Sequence, residues 1–249
     1  TSFFYVARRL ANHLRELALY RRAVMVTSGN ALAARLAKSA LDLGVPIVTG
    51  AAGRELLRDA QGRVVGVRTD GPAGPAQWHA RRGVVLACGG FPHDRARIAR
   101  AYPHLRRGAA HLSPTPVSNT GDGLAMAEAV GADATLRYPN AAAWMPVSAV
   151  PMGDGRTGVF PHLLDRYKPG VIGVLANGRR FTNESESYHD VGAALERACA
   201  DLPETAMWLV CDQPAMARYG LGYVKPAPLP HGGFVRKGYL KKGATLAEL

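Results

Sequence analysis

Val84-Val85-Leu86-Ala87-Cys88-Gly89-Gly90-Phe91 is an apolar run that stops on two glycines. A short continuous apolar run bounded by glycine reads as a buried strand. Bare backbone at the carboxyl edge of a sheet is where cofactors sit in open α/β folds; a tight turn after a strand accounts for the same glycines. The residues upstream supply the rest of such a unit. Leu10, Leu14 and Leu17 recur at helical spacing within 1–22, and Val24-Met25-Val26 reads as a short extended piece. Ser28-Gly29-Asn30 opens a second helix, with Leu32, Leu36, Ala40 and Leu43 on one face and Gly44 as its stop. Val45–Thr49 is a short apolar strand. Glu55–Arg58 and Val64–Thr69 flank the turn Asp59-Ala60-Gln61-Gly62 as a hairpin, and Ala76–Arg81 adds a third strand.

Downstream, residues 94–101 read as a helix and 102–120 as a loop. Ser118-Asn119-Thr120-Gly121-Asp122-Gly123 leads into a helix ending at Val130-Gly131. Amides at a helix start favour anionic or polar groups, so this segment is either a helix cap or a cofactor contact, with Asp122 capping or holding a sugar hydroxyl. Near residue 138 the texture changes to short elements rich in Pro and Gly. Gly153-Asp154-Gly155-Arg156-Thr157-Gly158 spells the dinucleotide fingerprint, but Val159-Phe160-Pro161 follows it and cannot open the helix that the fingerprint requires. It reads as a polar turn. Val171–Leu175 and Arg179–Phe181 form a hairpin around Ala176-Asn177-Gly178. The polar stretch Thr182–Asp190 follows, with Tyr188 and His189 as proton-transfer groups and Asp190 as a cap for a helix over 191–200; a surface loop with a helix cap is the alternative. Ala206–Cys211 is an apolar strand. Trp144, Met145, Phe160 and His162 are candidates to line a pocket, against the default of core or surface packing.

The 249 residues suit one large domain or two modest ones. The net charge of +12 comes from arginines spread along the chain, with no lysine tract or aromatic-basic repeat, so nucleic-acid binding is not expected. Cys88, Cys199 and Cys211 are widely spaced; no cluster has metal-ligand spacing, and reduced thiols fit a cytoplasmic protein. No apolar run is long enough to span a bilayer. There is no signal-peptide pattern and no initiator Met, which points to a processed or cut polypeptide.

In order, Ala87-Cys88-Gly89-Gly90-Phe91, Asn119-Thr120-Gly121-Asp122-Gly123 and Gly178-Arg179-Arg180-Phe181-Thr182-Asn183-Glu184 resemble the fumarate reductase and succinate dehydrogenase flavoprotein superfamily. The resemblance implies an α/β fold with an α+β cap. Residues 1–137 would be part of a two-dinucleotide-fold FAD-binding domain, and 138–249 a truncated substrate-capping, catalytic domain. It implies FAD as cofactor, contacted by Ala51, Cys88, Gly89, Gly90, Thr120, Gly121 and Asp122. The pyrophosphate strand-turn-helix and the segment closing over the flavin are absent from these residues, and Thr245–Leu249 looks like a helix cut short. The piece alone is therefore expected to bind FAD weakly or not at all, and to be inactive. Fumarate reductases carry an Arg where His189 stands after a one-residue gap. Asn183-Glu184-Ser185-Glu186-Ser187-Tyr188 instead resembles the Asn-Glu-Ser-x-x-Tyr of the 3-ketosteroid dehydrogenases. That branch implies dehydrogenation of a CH–CH bond next to a carbonyl, with Tyr188 and His189 catalytic and Arg180, Glu184 and Trp144 binding substrate. The substrate would be a small ketone, steroid or enoate, and the electron acceptor is not specified. A fumarate-like enoate reductase and a non-catalytic basic interaction module are the alternatives.

Overall fold

The computed structural model describes residues 2–136, 138 and 140–249. Thr1, Arg137 and Pro139 lie outside the described residues, and with them the first residue of the expected helix 1–22 and the last of the expected domain 1–137. The chain divides into two compact units, one of residues 1–53 with 68–77, the other of 54–67 with 78–249.

In the first unit, α1 (Ser2–Tyr20) and α2 (Ser28–Asp42) form where the leucine spacing predicts them. Neither buries a residue. The chain leaves α2 through Gly44, whose φ of 67° is left-handed backbone that glycine adopts without strain. Residues 24–26 and 45–49, predicted as extended pieces, belong to no strand. β1 (Ala52–Arg58), β2 (Val64–Gly71) and β3 (Gly74–His79) form a sheet in that order, with residues 52–53 and 68–77 counted in the first unit and 54–67 and 78–79 in the second. The predicted hairpin turn is closed by Asp59, whose carboxylate accepts from the Gln61 and Arg63 amides at 3.0 and 2.9 Å.

In the second unit, residues 83–87, predicted as a strand, belong to no ladder. A strand in an open parallel sheet depends on partners distant in sequence, and none pairs with this one among the described residues. α3 (Arg95–Ala101) is capped by Asp94, which accepts from the Arg97 amide at 3.0 Å. The expected loop 102–120 contains one short helix, α4 (Pro103–Arg106), whose Pro supplies helical φ at its first position. α5 (Asp122–Ala129) follows Gly121, and Gly131 (φ 94°) ends it.

The literal fingerprint is the bend of an antiparallel hairpin, β4 (Val147–Pro151) with β5 (Thr157–Pro161). β6 (Val171–Val174) corrects the predicted hairpin. It pairs with β7 (Trp208–Cys211); on the other edge the predicted turn is closed by Gly178 N–H to the Leu175 carbonyl and Leu175 N–H to the Arg179 carbonyl, both at 2.9 Å, and the pairing stops at the bridge Val174–Arg180. The reason is Glu184: its Oε1 accepts the Gly173 N–H at 2.8 Å, so a carboxylate occupies the edge that a partner strand would use. α6 (Tyr188–Ala198) starts three residues earlier than expected, and its cap is Ser187 in place of Asp190. Ser187 Oγ accepts from the Asp190 amide at 3.2 Å and donates to Asp190 Oδ2 at 2.7 Å. α7 (Gln213–Tyr219) and α8 (Gly232–Arg236) were not apparent in the sequence. Residues 245–249 make a single turn, closed by Leu249 N–H to the Thr245 carbonyl at 3.2 Å, where a helix start was expected. Two small cores hold this unit: Ile98, Ala101 and Tyr102, and Leu175, Leu195 and Cys199. No helix among the described residues is long and apolar enough to cross a membrane.

Candidate functional site

The two glycine motifs meet. Gly121 N–H donates to the Gly90 carbonyl at 3.2 Å, and His93 N–H to the Asn119 carbonyl at 3.1 Å. Gly89 has φ 87°, and a Cβ there would lie 2.8 Å from Asn119 Oδ1, so side chains are excluded where the segments cross. Gly121 (φ 81°) precedes α5 without a side-chain cap. The first amides of α5 are therefore open to a polar ligand group. Thr120 Oγ1 donates to Asp122 Oδ1 at 2.7 Å and orients that carboxylate at the helix start. Behind the crossing, Arg97 joins α3 to α5: it donates to both Glu128 oxygens at 2.8 Å and to Asp94 at 3.2 Å. Its hydrogen bonds to Glu128 hold that carboxyl below its ordinary pKa. Cys88 is exposed, and its Sγ lies 2.5 Å from where a Gly123 Cβ would be. Ala51 is half-buried and belongs to the first unit.

A chain of aromatic contacts and one hydrogen bond runs from this crossing to His189. Phe91 packs on the buried Tyr102 with ring centres 6.1 Å apart, and Tyr102 meets Trp144 edge-on at 5.0 Å. The Trp144 amide donates to His189 Nδ1 at 3.1 Å, and its indole N–H to Asn140 Oδ1 at 3.0 Å. Because Nδ1 accepts, the neutral His189 ring carries its proton on Nε2. Tyr188 is exposed at the first turn of α6. His104 and His111 complete the cluster, 3.2 Å apart between Nε2 and Nδ1. Desolvation, with repulsion from His104 and His93 added, lowers His111 to about 4; burial lowers His104 as well. Both rings are neutral at pH 7.

Glu184 is buried and committed within the chain. Beyond Gly173 it receives Arg180 Nε at 3.0 Å, and these hydrogen bonds outweigh desolvation to keep its pKa low. Arg180, expected to bind substrate, spends that face of its guanidinium on Glu184. Arg166 was not singled out in the sequence, yet it is 2% exposed. Its Nη1 and Nη2 donate to the Glu184 and Glu186 carbonyls, both at 2.6 Å, and its Nε has no hydrogen-bond partner among the described residues. Arg166 thus grips the loop that delivers Tyr188. Neither periodicity nor charge pattern marks it; only the fold shows an arginine facing in. Among the described residues no group of three His, Cys, Asp or Glu is placed to hold a metal.

Residues 3–242 match the family model described as "FAD binding domain". The chain belongs to that family. FAD is the family's cofactor, and the glycine crossing with the open amides of α5 fits a polar, close-packed ligand. The 4-oxocyclohex-2-ene-1-carboxylate 5-dehydrogenase of Sinomonas cyclohexanicum is 40% identical over 248 residues, covering 100% of this chain and 42% of that protein. The 3-oxosteroid 1-dehydrogenase of Mycolicibacterium smegmatis is 32% identical over 238 residues, covering 90% of this chain and 40% of the relative. Among solved structures, 3-ketosteroid delta1-dehydrogenase from Sterolibacterium denitrificans in complex with 1,4-androstadiene-3,17-dione is similar with a TM-score of 0.74 at 27% identity, covering 90% and 40% of the two chains. The chain spans about two-fifths of the length of these relatives.

Proposed function

We propose that the whole protein is an FAD-dependent dehydrogenase acting on a CH–CH bond next to a carbonyl, with a small cyclic ketone as substrate. The observation that carries this reading is the path Phe91–Tyr102–Trp144–His189, which connects the glycine crossing to His189, the residue after Tyr188. Cys88, Gly89, Gly90, Thr120, Gly121 and Asp122 would hold the cofactor. FAD, when bound, would supply the hydride acceptor. Tyr188 moves the acidic proton from the carbon beside the carbonyl. His189, held by the Trp144 amide, offers its Nε2–H to the developing enolate oxygen. Glu184 and Arg180 shape the loop from below, and Trp144 walls the site. The division into a cofactor part at 1–137 and a cap at 138–249 belongs to this reading, as does a cytoplasmic setting, consistent with three free thiols.

The similarity to an oxo-cyclohexene carboxylate dehydrogenase favours a compact, carboxylate-bearing ring ketone over a steroid. The full-length protein is assayed with such ring ketones and with a 3-ketosteroid, each with an artificial electron acceptor, and separately with fumarate and reduced viologen. Ketone-dependent reduction of the acceptor is expected, and Tyr188→Phe should lower kcat by about 10²-fold or more. Turnover of fumarate alone would replace this reading with enoate reduction.

A further inference from the structure

The β4–β5 hairpin builds a second cluster, formed by none of the residues of the glycine crossing. Ser148 on β4 and His162, the residue after β5, come together because Ser148 pairs with Phe160 and Val147 with Pro161. His162 Nε2 is 3.0 Å from Ser148 Oγ, and His162 Nδ1 is 2.6 Å from Asp165 Oδ2. The Tyr239 hydroxyl lies 2.8 Å from Ser148 Oγ, and the Tyr223 amide donates to the Tyr239 oxygen at 3.3 Å.

The direction of each hydrogen bond follows from the inventory of donors. An ionised Asp165 only accepts, so His162 Nδ1 carries the proton. Nε2 is then bare and accepts the Ser148 O–H. Ser148 Oγ in turn accepts the Tyr239 O–H. His162 is 7% exposed, while Ser148 and Tyr239 are half-buried and reachable. Gly222 keeps the place open: a Cβ there would lie 3.0 Å from both His162 Cε1 and the Tyr239 oxygen.

We propose that Ser148 is a nucleophile that accepts an acyl group from small activated esters, a site separate from the flavin chemistry. A hydroxyl on a histidine base that is oriented by a carboxylate is recognised by geometry and roles, whatever the fold. As Ser148 Oγ bonds to the ester carbonyl carbon, its proton passes to His162 Nε2 and the carbonyl electron pair moves onto oxygen. Asp165 stabilises the imidazolium. The Tyr239 O–H, released from Oγ, turns to the new oxyanion, with its own oxygen held by the Tyr223 amide. The oxyanion then re-forms the carbonyl, the bond to the leaving alcohol breaks, and His162 returns the proton to that alcohol. Water, deprotonated by His162, hydrolyses the acyl-serine to the carboxylic acid.

The test treats the full-length protein with a fluorophosphonate, which loses fluoride on reaction with an activated serine, and reads intact mass and peptide maps. One adduct is expected, on the peptide carrying Ser148. It should be absent in Ser148→Ala, and its rate should fall about 100-fold in His162→Gln, which keeps the serine and removes the base. p-Nitrophenyl acetate should give a stoichiometric burst of nitrophenol. No adduct on Ser148, under conditions that fully label a serine hydrolase control, overturns the proposal; so does equal labelling of wild type and His162→Gln.

Discussion

Helices α1 and α6 carry similar amphipathic patterns and meet opposite fates. α1 runs for 19 residues and buries none, with Leu10 57% and Leu14 58% exposed. α6 runs for 11 residues and buries Val191, Ala193 and Leu195, starts on a Ser187 cap, and is tied by Glu196 to Arg107. Period alone writes a helix. What fixes one in place is the neighbour that covers its stripe and the side chains that satisfy its ends. Burial in this chain therefore concentrates where polar networks and small cores coincide, around Tyr102, Arg166 and α6.

The sharpest way to break that contrast is at Arg166. Arg166→Met leaves the Glu184 and Glu186 carbonyls without their donors, and a loss of about 2–4 kcal/mol is expected from denaturant unfolding. A change below about 0.5 kcal/mol would show that the loop before α6 holds itself. Next in size is a pH effect at His111. Its folded pKa of about 4 lies below the unfolded value near 6.5, so between those limits the unfolded chain binds more protons. Stability should fall as pH drops through that window and level off below it, with no slope from this group above pH 6.5. The total is about 2 kcal/mol after allowance for partial solvent access. His111→Asn should flatten that part of a melting-temperature profile. The smallest effect belongs to α1: Leu14→Ala in the 249-residue chain should change stability by less than about 0.5 kcal/mol. A cost above about 2 kcal/mol would mean that something covers the α1 stripe in solution.

The local elements were legible because their signals are local. Leucine spacing predicts α1 and α2, Asp59-Ala60-Gln61-Gly62 the β1–β2 turn, and Gly131 the end of α5. Pairing was less legible. Val171–Val174 looks like half of a tight hairpin, and only Glu184, eleven residues beyond Gly173, explains why β7 is its partner. The α6 cap fell to Ser187, whose Oγ accepts the Asp190 amide while its O–H is held by the Asp190 carboxylate. At the candidate site the glycine motifs were visible as strings. Tyr102, His104, His111 and Arg166 were not, because a residue's inward direction is set by tertiary packing that no spacing rule encodes. His162 was noticed as a pocket candidate; its partners Ser148, Asp165 and Tyr239 are spread over 92 residues and meet only in the fold.

The bend between β4 and β5 bears on how proteins of this kind are sorted. Its six letters, Gly153 through Gly158, are those that a text search for nucleotide binders would seize on, yet they sit on a hairpin tip where Asp154 is occupied with Arg156. A classifier keyed to spelling would name the right cofactor class here and credit the wrong atoms. Engineering built on that assignment would change a surface corner and leave the crossing of Gly90 and Gly121 untouched.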